Sequence, residues 1–250
     1  MAEAPKPVLG AAPEGAQNRR QAAAAVRDMF TSIAPRYDLL NHLLSFNIDR
    51  LWWRRAARTF RHILQRPGAR ALDLCCGTGD MAFALRRVSS SQAEICGADF
   101  SHAMLVRAVE KSRGASLQWL EADALRLPLP DATFDLVTSA FGFRNLADYD
   151  AGLREIFRVL RPGGEVGILD FGDPSGLIGR LYRVYFKRVL PAIGTVISGV
   201  KGPYAYLPAS VERFPSPGEM LGRMRAAGFT DLSWTSYTFG IAGLYRGKKA

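Results

Sequence analysis

Four carboxylates stand beside short apolar runs in the first half of the chain. Asp73 precedes, and Asp80 follows, the loop Cys75-Cys76-Gly77-Thr78-Gly79; Asp99 closes the run AEICGADF, and Asp123 follows the run that ends at Glu121. Gly77, Gly79 and Ala82 also spell G-x-G-x-x-A, a dinucleotide-binding pattern, and Asp99 lies twenty residues after Gly79. Two chemistries compete for such a loop. A pyrophosphate wants bare N–H groups at a helix N-terminus, and Asp73 and Asp80 at the two ends of the loop would repel it. A ligand with a sulfonium, an ammonium and a single carboxylate suits acidic walls. Asp99 can bond both hydroxyls of its ribose, and an acid at Asp123 can accept from the exocyclic amine of an adenine. That combination belongs to S-adenosylmethionine, so the loop is read as holding its methionine and ribose portions. Cys75 stands where such loops usually carry their first glycine, which is tolerable if its backbone keeps a negative φ.

A metal is not expected. The cysteines are Cys75, Cys76 and Cys96, with no C-x-x-C, and the histidines are scattered at His42, His62 and His102. A zinc site needs about four ligands at suitable spacing. Small buried thiols in a reducing cytoplasm account for the cysteines.

The acids need a frame that brings them together. Residues 20–59 read as helical, broken near Pro35. Strands are predicted at 70–74, 93–100, 116–121, 134–140 and 165–171, with helices at 80–88, 102–112 and 148–160 between them and a turn at Arg161-Pro162-Gly163-Gly164. One or two long helices are predicted at 176–198 and another at 216–227. Two closing strands, 232–239 and 241–246, flank Gly240 as a hairpin tip. The alternation predicts an α/β fold: a doubly wound, mostly parallel seven-stranded sheet of the class I S-adenosylmethionine-dependent methyltransferase type, with an antiparallel C-terminal hairpin. Ligands of such sheets sit at the carboxyl ends of the strands, near the switch point. Residues 1–19, rich in Ala, Pro and Gly, read as a disordered tail. Residues 20–250 read as one domain: a helical lid at 20–66 and an α/β core at 67–250 carrying cover helices at 176–199.

The chain has 250 residues, is 48% hydrophobic and carries a net charge of +10. The excess suits nucleic acid, an anionic membrane surface or an acidic ligand. No run reaches the roughly 18 apolar residues of a membrane-spanning helix. In 176–199, Arg180, Arg183 and Lys187 form a basic stripe on an apolar helix, a pattern that suits a membrane interface and equally a packed cover helix with a solvated face.

Several stretches together resemble one family, the ubiquinone/menaquinone biosynthesis C-methyltransferases (UbiE/MenG-like). They are MFTSIAPRYDLLNHLLSFNIDRLWW, ALDLCCGTGD, GADFSHAML, ADALRLPLPDATFD, FGFRN, REIFRVLRPGG, ILDFGDPS and YAYLPASVERFP, in the family's order from about Met29 onward. Tyr-Asp-x-x-Asn, FGFRN and YAYLPASVERFP are the specific ones. The chain departs from the pattern at His42, where the family often has Asp; at Asn47-Ile48-Asp49-Arg50, where Gly-x-His-Arg is common; and at Asp170, where many members have Glu. A serine that contacts the cofactor in some members aligns with Ala140.

The resemblance implies methyl transfer from S-adenosylmethionine to a ring carbon of a prenylated quinol. The cysteine pair and the Leu-Asp-Phe ending look most like menaquinone- or phylloquinone-pathway members, with demethylmenaquinol the expected acceptor. By position the family's cofactor residues fall on Thr78, Asp99, Asp123 and Ala124, beside Asp73, Gly77 and Gly79 of the loop. A quinol carbon becomes nucleophilic when a neighbouring hydroxyl loses its proton. Arg144, after the fourth strand, is suited to stabilise the oxyanion and position water; as a permanent cation it is a poor base. Asn145 is expected to orient the quinol oxygen and Tyr37, on the lid, to touch cofactor or ring. His42 is a further candidate base. Expected partners are the polyprenyl quinol, an anionic membrane touched from one side and a second copy in a homodimer, with no nucleic acid. The expected location is the cytoplasm, peripherally on the inner membrane surface. Methylation of RNA or another small molecule on the same fold stays open, as do a nicotinamide-dependent oxidoreductase and a non-catalytic scaffold.

Overall fold

In a computed structural model of the full chain, the residues described are 10, 11, 13, 15–38, 42, 45, 47–172, 174, 176, 179, 184, 185 and 203–250. Helix α1 (Arg19–Ile33) starts on Asn18, whose side chain accepts from the Gln21 amide, and a single 3-10 turn (Ala34–Arg36) follows at the expected break. Helix α2 (Ile48–Thr59) and the short α3 (Arg61–Leu64) lead into the core. There β1 (Arg70–Leu74), α4 (Asp80–Arg86), β2 (Glu94–Asp99), α5 (His102–Lys111), β3 (Gln118–Glu121), β4 (Phe134–Ala140), α6 (Tyr149–Val159) and β5 (Leu160–Phe171) alternate. Helices α7 (Pro203–Arg213) and α8 (Pro217–Ala226) precede the closing strands β6 (Phe229–Tyr237) and β7 (Ala242–Lys249).

The seven strands lie in the order β3-β2-β1-β4-β5-β7-β6. β1 pairs in parallel with both β2 and β4, whereas β7 runs antiparallel between β5 and β6. The chain therefore walks outward from β1 to β3 and returns to β4 on the other side of β1, which opens a crevice at the carboxyl ends of β1 and β4. Side chains alternate across the sheet. Leu72, Leu74, Val137 and Ile168 enter the core under α6 and α8, while Ala71, Leu136 and Leu169 enter the one under α2 and α4. Burial on both faces is why these strands read as continuous apolar runs.

Three expectations change. Residues 161–164 do not end an element: β5 begins at Leu160, and its pairing with β4 shifts register there, with Gly163 at φ 79°. Helix α7 was not foreseen. It carries Pro208 in its interior, a residue that reads as a helix breaker, and it is held by Leu207 and Val211 packing beside Ile33, Ala34 and Met104. β6 also starts three residues early, at Phe229. Within the segment read as a tail, Ala11 is buried and donates to the Leu146 carbonyl at 2.8 Å. The cover helices read at 176–199 lie almost wholly outside the described residues. Among the described residues no helix is long and apolar enough to cross a membrane.

Candidate active site

The crevice at the switch point deepens into a cavity of about 330 Å³. Its walls include Asp73, Gly77, Thr78, Asp99, Asp123, Ala124, Arg144, Asn145 and Tyr37. Of the site residues expected from sequence, Gly79 and the candidate base His42 are absent from them. Gly79 works behind the wall: it opens α4 at φ 91°, and a Cβ there would fall 2.4 Å from the Trp119 ring. The two loops that meet at the switch point touch directly, because a Cβ on Gly142 would lie 2.4 Å from the Cβ of Cys75. Cys75 itself has φ 55°. The expectation of a negative φ there is wrong: the loop needs a left-handed turn at this residue and uses a small side chain in place of glycine, at a cost.

The acids sit in different settings. Asp73 is fully buried, and Thr138, its register neighbour on β4, donates to Oδ1 at 3.0 Å. Its Oδ2 is buried without a partner among the described residues. Burial pushes the Asp73 carboxyl up to about 7, the Thr138 hydroxyl and the Ala82 amide pull it back, and the charges of Asp99 and Asp80 push it further. Asp99 accepts from the Gly77 amide at 2.8 Å and the Ser101 amide at 2.9 Å. Burial raises it to about 6 against those bonds. Asp123 accepts from the Leu125 amide at 2.9 Å, which turns the chain after β3.

Asp80 is the exception. Burial raises its carboxyl, but Lys111 at 2.8 Å counters that. The same ammonium reaches Asp38 at 2.8 Å and Thr78 Oγ1 at 3.1 Å, and Thr78 donates to Asp38 at 2.5 Å. Sequence reading missed Lys111, whose role depends on joining residue 38, the loop residues 78 and 80, and residue 111 from three separate segments. Tyr37, one residue before Asp38, packs edge-on against Phe30 at 6.0 Å, and its ring would lie 3.7 Å from a Cβ at Gly77. The helical segment thus closes over the glycine loop.

On the opposite wall Arg144 is buried and bonds Asp170 Oδ1 at 2.9 Å through Nη1, which also donates to the Phe141 carbonyl. Its amide reaches Asp170 Oδ2 at 3.2 Å, and Tyr149 Oη donates to its carbonyl at 3.0 Å. Asp170 is fully buried and raised by desolvation, which the Arg144 charge opposes. Arg144 Nε is buried without a partner among the described residues. Asn145 accepts from Tyr206 Oη at 3.3 Å, so its amide hydrogens remain available as donors. Tyr206 belongs to the YAYLPASVERFP stretch and had been given no role. Trp52, Phe141, Phe171, Leu207 and Ile241 complete an apolar wall. His42 does not line the cavity; its Nδ1 lies 2.9 Å from Oδ2 of Asp49, which does.

A row of carboxylates facing an apolar wall can receive a cationic, partly aromatic ligand and hold a second, greasy one against it. Solved structures with this architecture include a SAM-dependent methyltransferase from Thermotoga maritima, with a TM-score of 0.64 and 20% identity over 90% of this chain and 100% of that one. The [4+2]-cyclase SpnF matches at a TM-score of 0.67 and 18% identity, over 98% of this chain and 99% of that one. These likenesses establish the fold and not the reaction. The model of the ubiE/COQ5 methyltransferase family matches residues 16–249. The chain belongs to that family. The demethylmenaquinone methyltransferase of Deinococcus radiodurans is 51% identical over 90% of this chain and 92% of its own length. That of Thermus thermophilus is 50% identical over 88% and 100%, and the ubiquinone/menaquinone biosynthesis C-methyltransferase UbiE of Geobacter sulfurreducens 45% over 90% and 88%. The chain is therefore a methyltransferase of quinone biosynthesis, and its FGFRN, Tyr-Asp-x-x-Asn and YAYLPASVERFP stretches all reach the cavity or its immediate border.

Proposed function

We propose that this methyltransferase uses S-adenosylmethionine to methylate a ring carbon of demethylmenaquinol, giving menaquinol. The observation that carries the reading is Asp73: a buried carboxylate with one oxygen unpartnered among the described residues, in a cavity wall where Asp99 and Asp123 also lack an ion-pair partner among the described residues while Asp80 has Lys111 and Asp49 has His42. A phosphate-bearing cofactor would be repelled there, whereas an ammonium would be bound. S-adenosylmethionine, when bound, supplies an electrophilic methyl group. Asp73 and the Gly77–Thr78 backbone would hold its methionine end, Asp99 its ribose hydroxyls, and Asp123 with Ala124 its adenine.

The chain's own residues do the rest by position and charge. The ring lies against Phe141, Phe171 and Trp52. Arg144 is fixed by Asp170 and the Phe141 carbonyl, which leaves its remaining N–H groups to donate to the quinol oxygen as that oxygen gains charge. Asn145, its carbonyl engaged by Tyr206, turns its NH₂ to the same oxygen. The apolar wall excludes water and strengthens these bonds. Tyr37 caps the cofactor side.

The naphthoquinol is favoured over the benzoquinol because two relatives that match at 50–51% identity carry the demethylmenaquinone name. Isotope-labelled S-adenosylmethionine offered with reduced demethylmenaquinone and with the reduced demethylated ubiquinone precursor tests it. Label is expected on a ring carbon of the naphthoquinol, read by mass spectrometry. Label only on the benzoquinol would correct the acceptor, and label on neither would overturn the reading.

A further inference from the structure

The arginines concentrate in one place. Residues 50–72 contain seven arginines and no Asp or Glu. Leu51, Arg54, Arg55 and Arg58 follow the i, i+3, i+4, i+7 spacing of one helix face, and all four are exposed. Arg50, Arg54, Arg58 and Arg61 have no carboxylate partner among the described residues. In the middle of this charge Leu51 is 60% exposed.

The turn between β6 and β7 lies against the same helix. Trp52 Nε1 donates to Thr238 Oγ1 at 2.8 Å, and the Arg55 guanidinium covers the Tyr237 ring at 4.2 Å. That turn presents Phe239, which at 75% is the most exposed large apolar side chain among the described residues. Thr238 and Phe239 have φ of 46° and 57°, a left-handed conformation that residues with side chains adopt at a cost. Directly behind the turn, Trp52 and Ile241 belong to the apolar wall of the cavity.

We propose that α2, the start of α3 and the Thr238–Gly240 turn form a docking face for the surface of an anionic phospholipid bilayer. The arginines meet the headgroups and Leu51 and Phe239 enter the acyl boundary, with the apolar wall of the cavity directly behind them. Arginines around exposed apolar side chains complement such a surface in both charge and hydrophobicity. Leu51, aliphatic and exposed at the centre of the charge, has a counterpart in an acyl layer and none in a phosphate backbone. The face rests on the proposed function in one respect: it gives a polyprenyl acceptor a path from membrane to cavity.

The test is flotation of the full chain with vesicles, in the absence of methyl donor and quinol. Phosphatidylcholine vesicles are compared with vesicles of phosphatidylcholine and phosphatidylglycerol over a salt series. Binding is expected only to the anionic vesicles, and it should fall as salt rises. Arg54→Gln with Arg58→Gln should weaken it about fivefold per arginine, about twenty-five-fold together. Phe239→Asn should weaken it about tenfold without lowering the melting temperature, because Asn accepts the left-handed backbone. Methyl transfer to a short-tailed quinol in solution should be unchanged in these variants. Wild-type protein that ignores anionic vesicles at low salt overturns the proposal, as do variants that bind as wild type does. Retention by an RNA oligonucleotide without vesicle binding also overturns it and gives the face to nucleic acid. The vesicle readout needs no turnover, so failed methyl transfer would sink the functional reading and leave this one standing.

Discussion

Asp73→Asn should make the ligand-free protein more stable at alkaline pH while it weakens binding of the methyl donor. The carboxyl ordinarily titrates at 3.8, and burial holds it at about 7 in the fold. Once ionised, that displacement costs the folded state about 4 kcal/mol. Asn keeps an oxygen for the Thr138 hydroxyl and carries no charge. It also places an amide N–H group where Oδ2 was, and an unsatisfied buried donor costs about 1–3 kcal/mol. The net gain at pH 8 is about 1–3 kcal/mol, or about 5 °C in melting temperature for a domain of this size. The sign follows from the raised folded value. The contribution of Asp73 favours folding below the unfolded value of 3.8 and is lost as pH rises through about 7. The advantage of Asn should therefore shrink as pH falls below about 7, cross zero between about pH 4.5 and pH 6, and reverse by about 1–3 kcal/mol near pH 4, where the carboxyl is protonated in both states and only the cost of the buried amide donor is left. Thermal unfolding of ligand-free wild type and variant across that range is the assay. Calorimetry at pH 8 should show a loss of donor affinity of about 10- to 100-fold, the worth of a charged hydrogen bond. A variant less stable than wild type at pH 8, or a gap that ignores pH, would refute the burial argument.

Affinity for S-adenosylmethionine should rise with pH through the values of Asp99, about 6, and Asp73, about 7, and then level off. Calorimetry in buffers of differing ionisation enthalpy should register proton release near pH 6; a flat profile would detach these acids from the ligand. Arg144→Ala should cost about 3–5 kcal/mol by leaving Asp170 buried and alone, and it should lower turnover more than donor affinity. Adding Asp170→Asn should restore part of the stability and none of the turnover, and full recovery of turnover would remove Arg144 from the chemistry. Cys75 and Cys76 are pushed well above the usual thiol range by burial and by Asp99 and Asp73, so both should react with iodoacetamide far more slowly than a free thiol, as mass spectrometry of the intact protein would show.

The parts of the site that were legible in sequence are those carried by backbone pattern. An apolar run ended by an acid marks a buried parallel strand and its ligand-facing tip, so Asp73, Asp99 and Asp123 could be placed without coordinates. Gly142 could be suspected but not explained, because the atom that forbids a side chain there belongs to Cys75, on another loop. Lys111 was invisible for the same reason: nothing in a helix register says that residue 111 will sit between residues 38 and 80. Helix α7 was hidden by Pro208, since local propensity argued for a break and tertiary packing overrode it. The departures at His42 and Asp49 become intelligible only together. The family pattern often has an acid at the first position and a histidine at the second; this chain has the reverse, and the two side chains meet at 2.9 Å.

The cavity's charge balance indicates what it is shaped to receive. Asp170 and Asp73 are both fully buried in β5 and β1, yet they are treated in opposite ways. Asp170 is bonded by the Arg144 guanidinium, by the Arg144 amide and, at 2.9 Å, by the Phe171 amide. Asp80 has Lys111. Asp73 has one hydroxyl, the influence of the Ala82 amide and, among the described residues, no cation. An unpartnered buried carboxylate destabilises the fold, and a neutral side chain would remove that cost. What holds it there must act when the protein is not empty. A cation that binds beside Asp73 would recover the energy that burial took, and the same cation would meet Asp99 at the end of the adjacent strand β2, which has no ion-pair partner among the described residues. Arg144, the one guanidinium in the cavity wall among the described residues, is held by Asp170 on the far side. On the proposed function, this separation puts acid where the positively charged donor would lie and a tethered cation where the acceptor's oxygen would gain negative charge. A neutral or anionic cofactor would make both halves of that arrangement unfavourable.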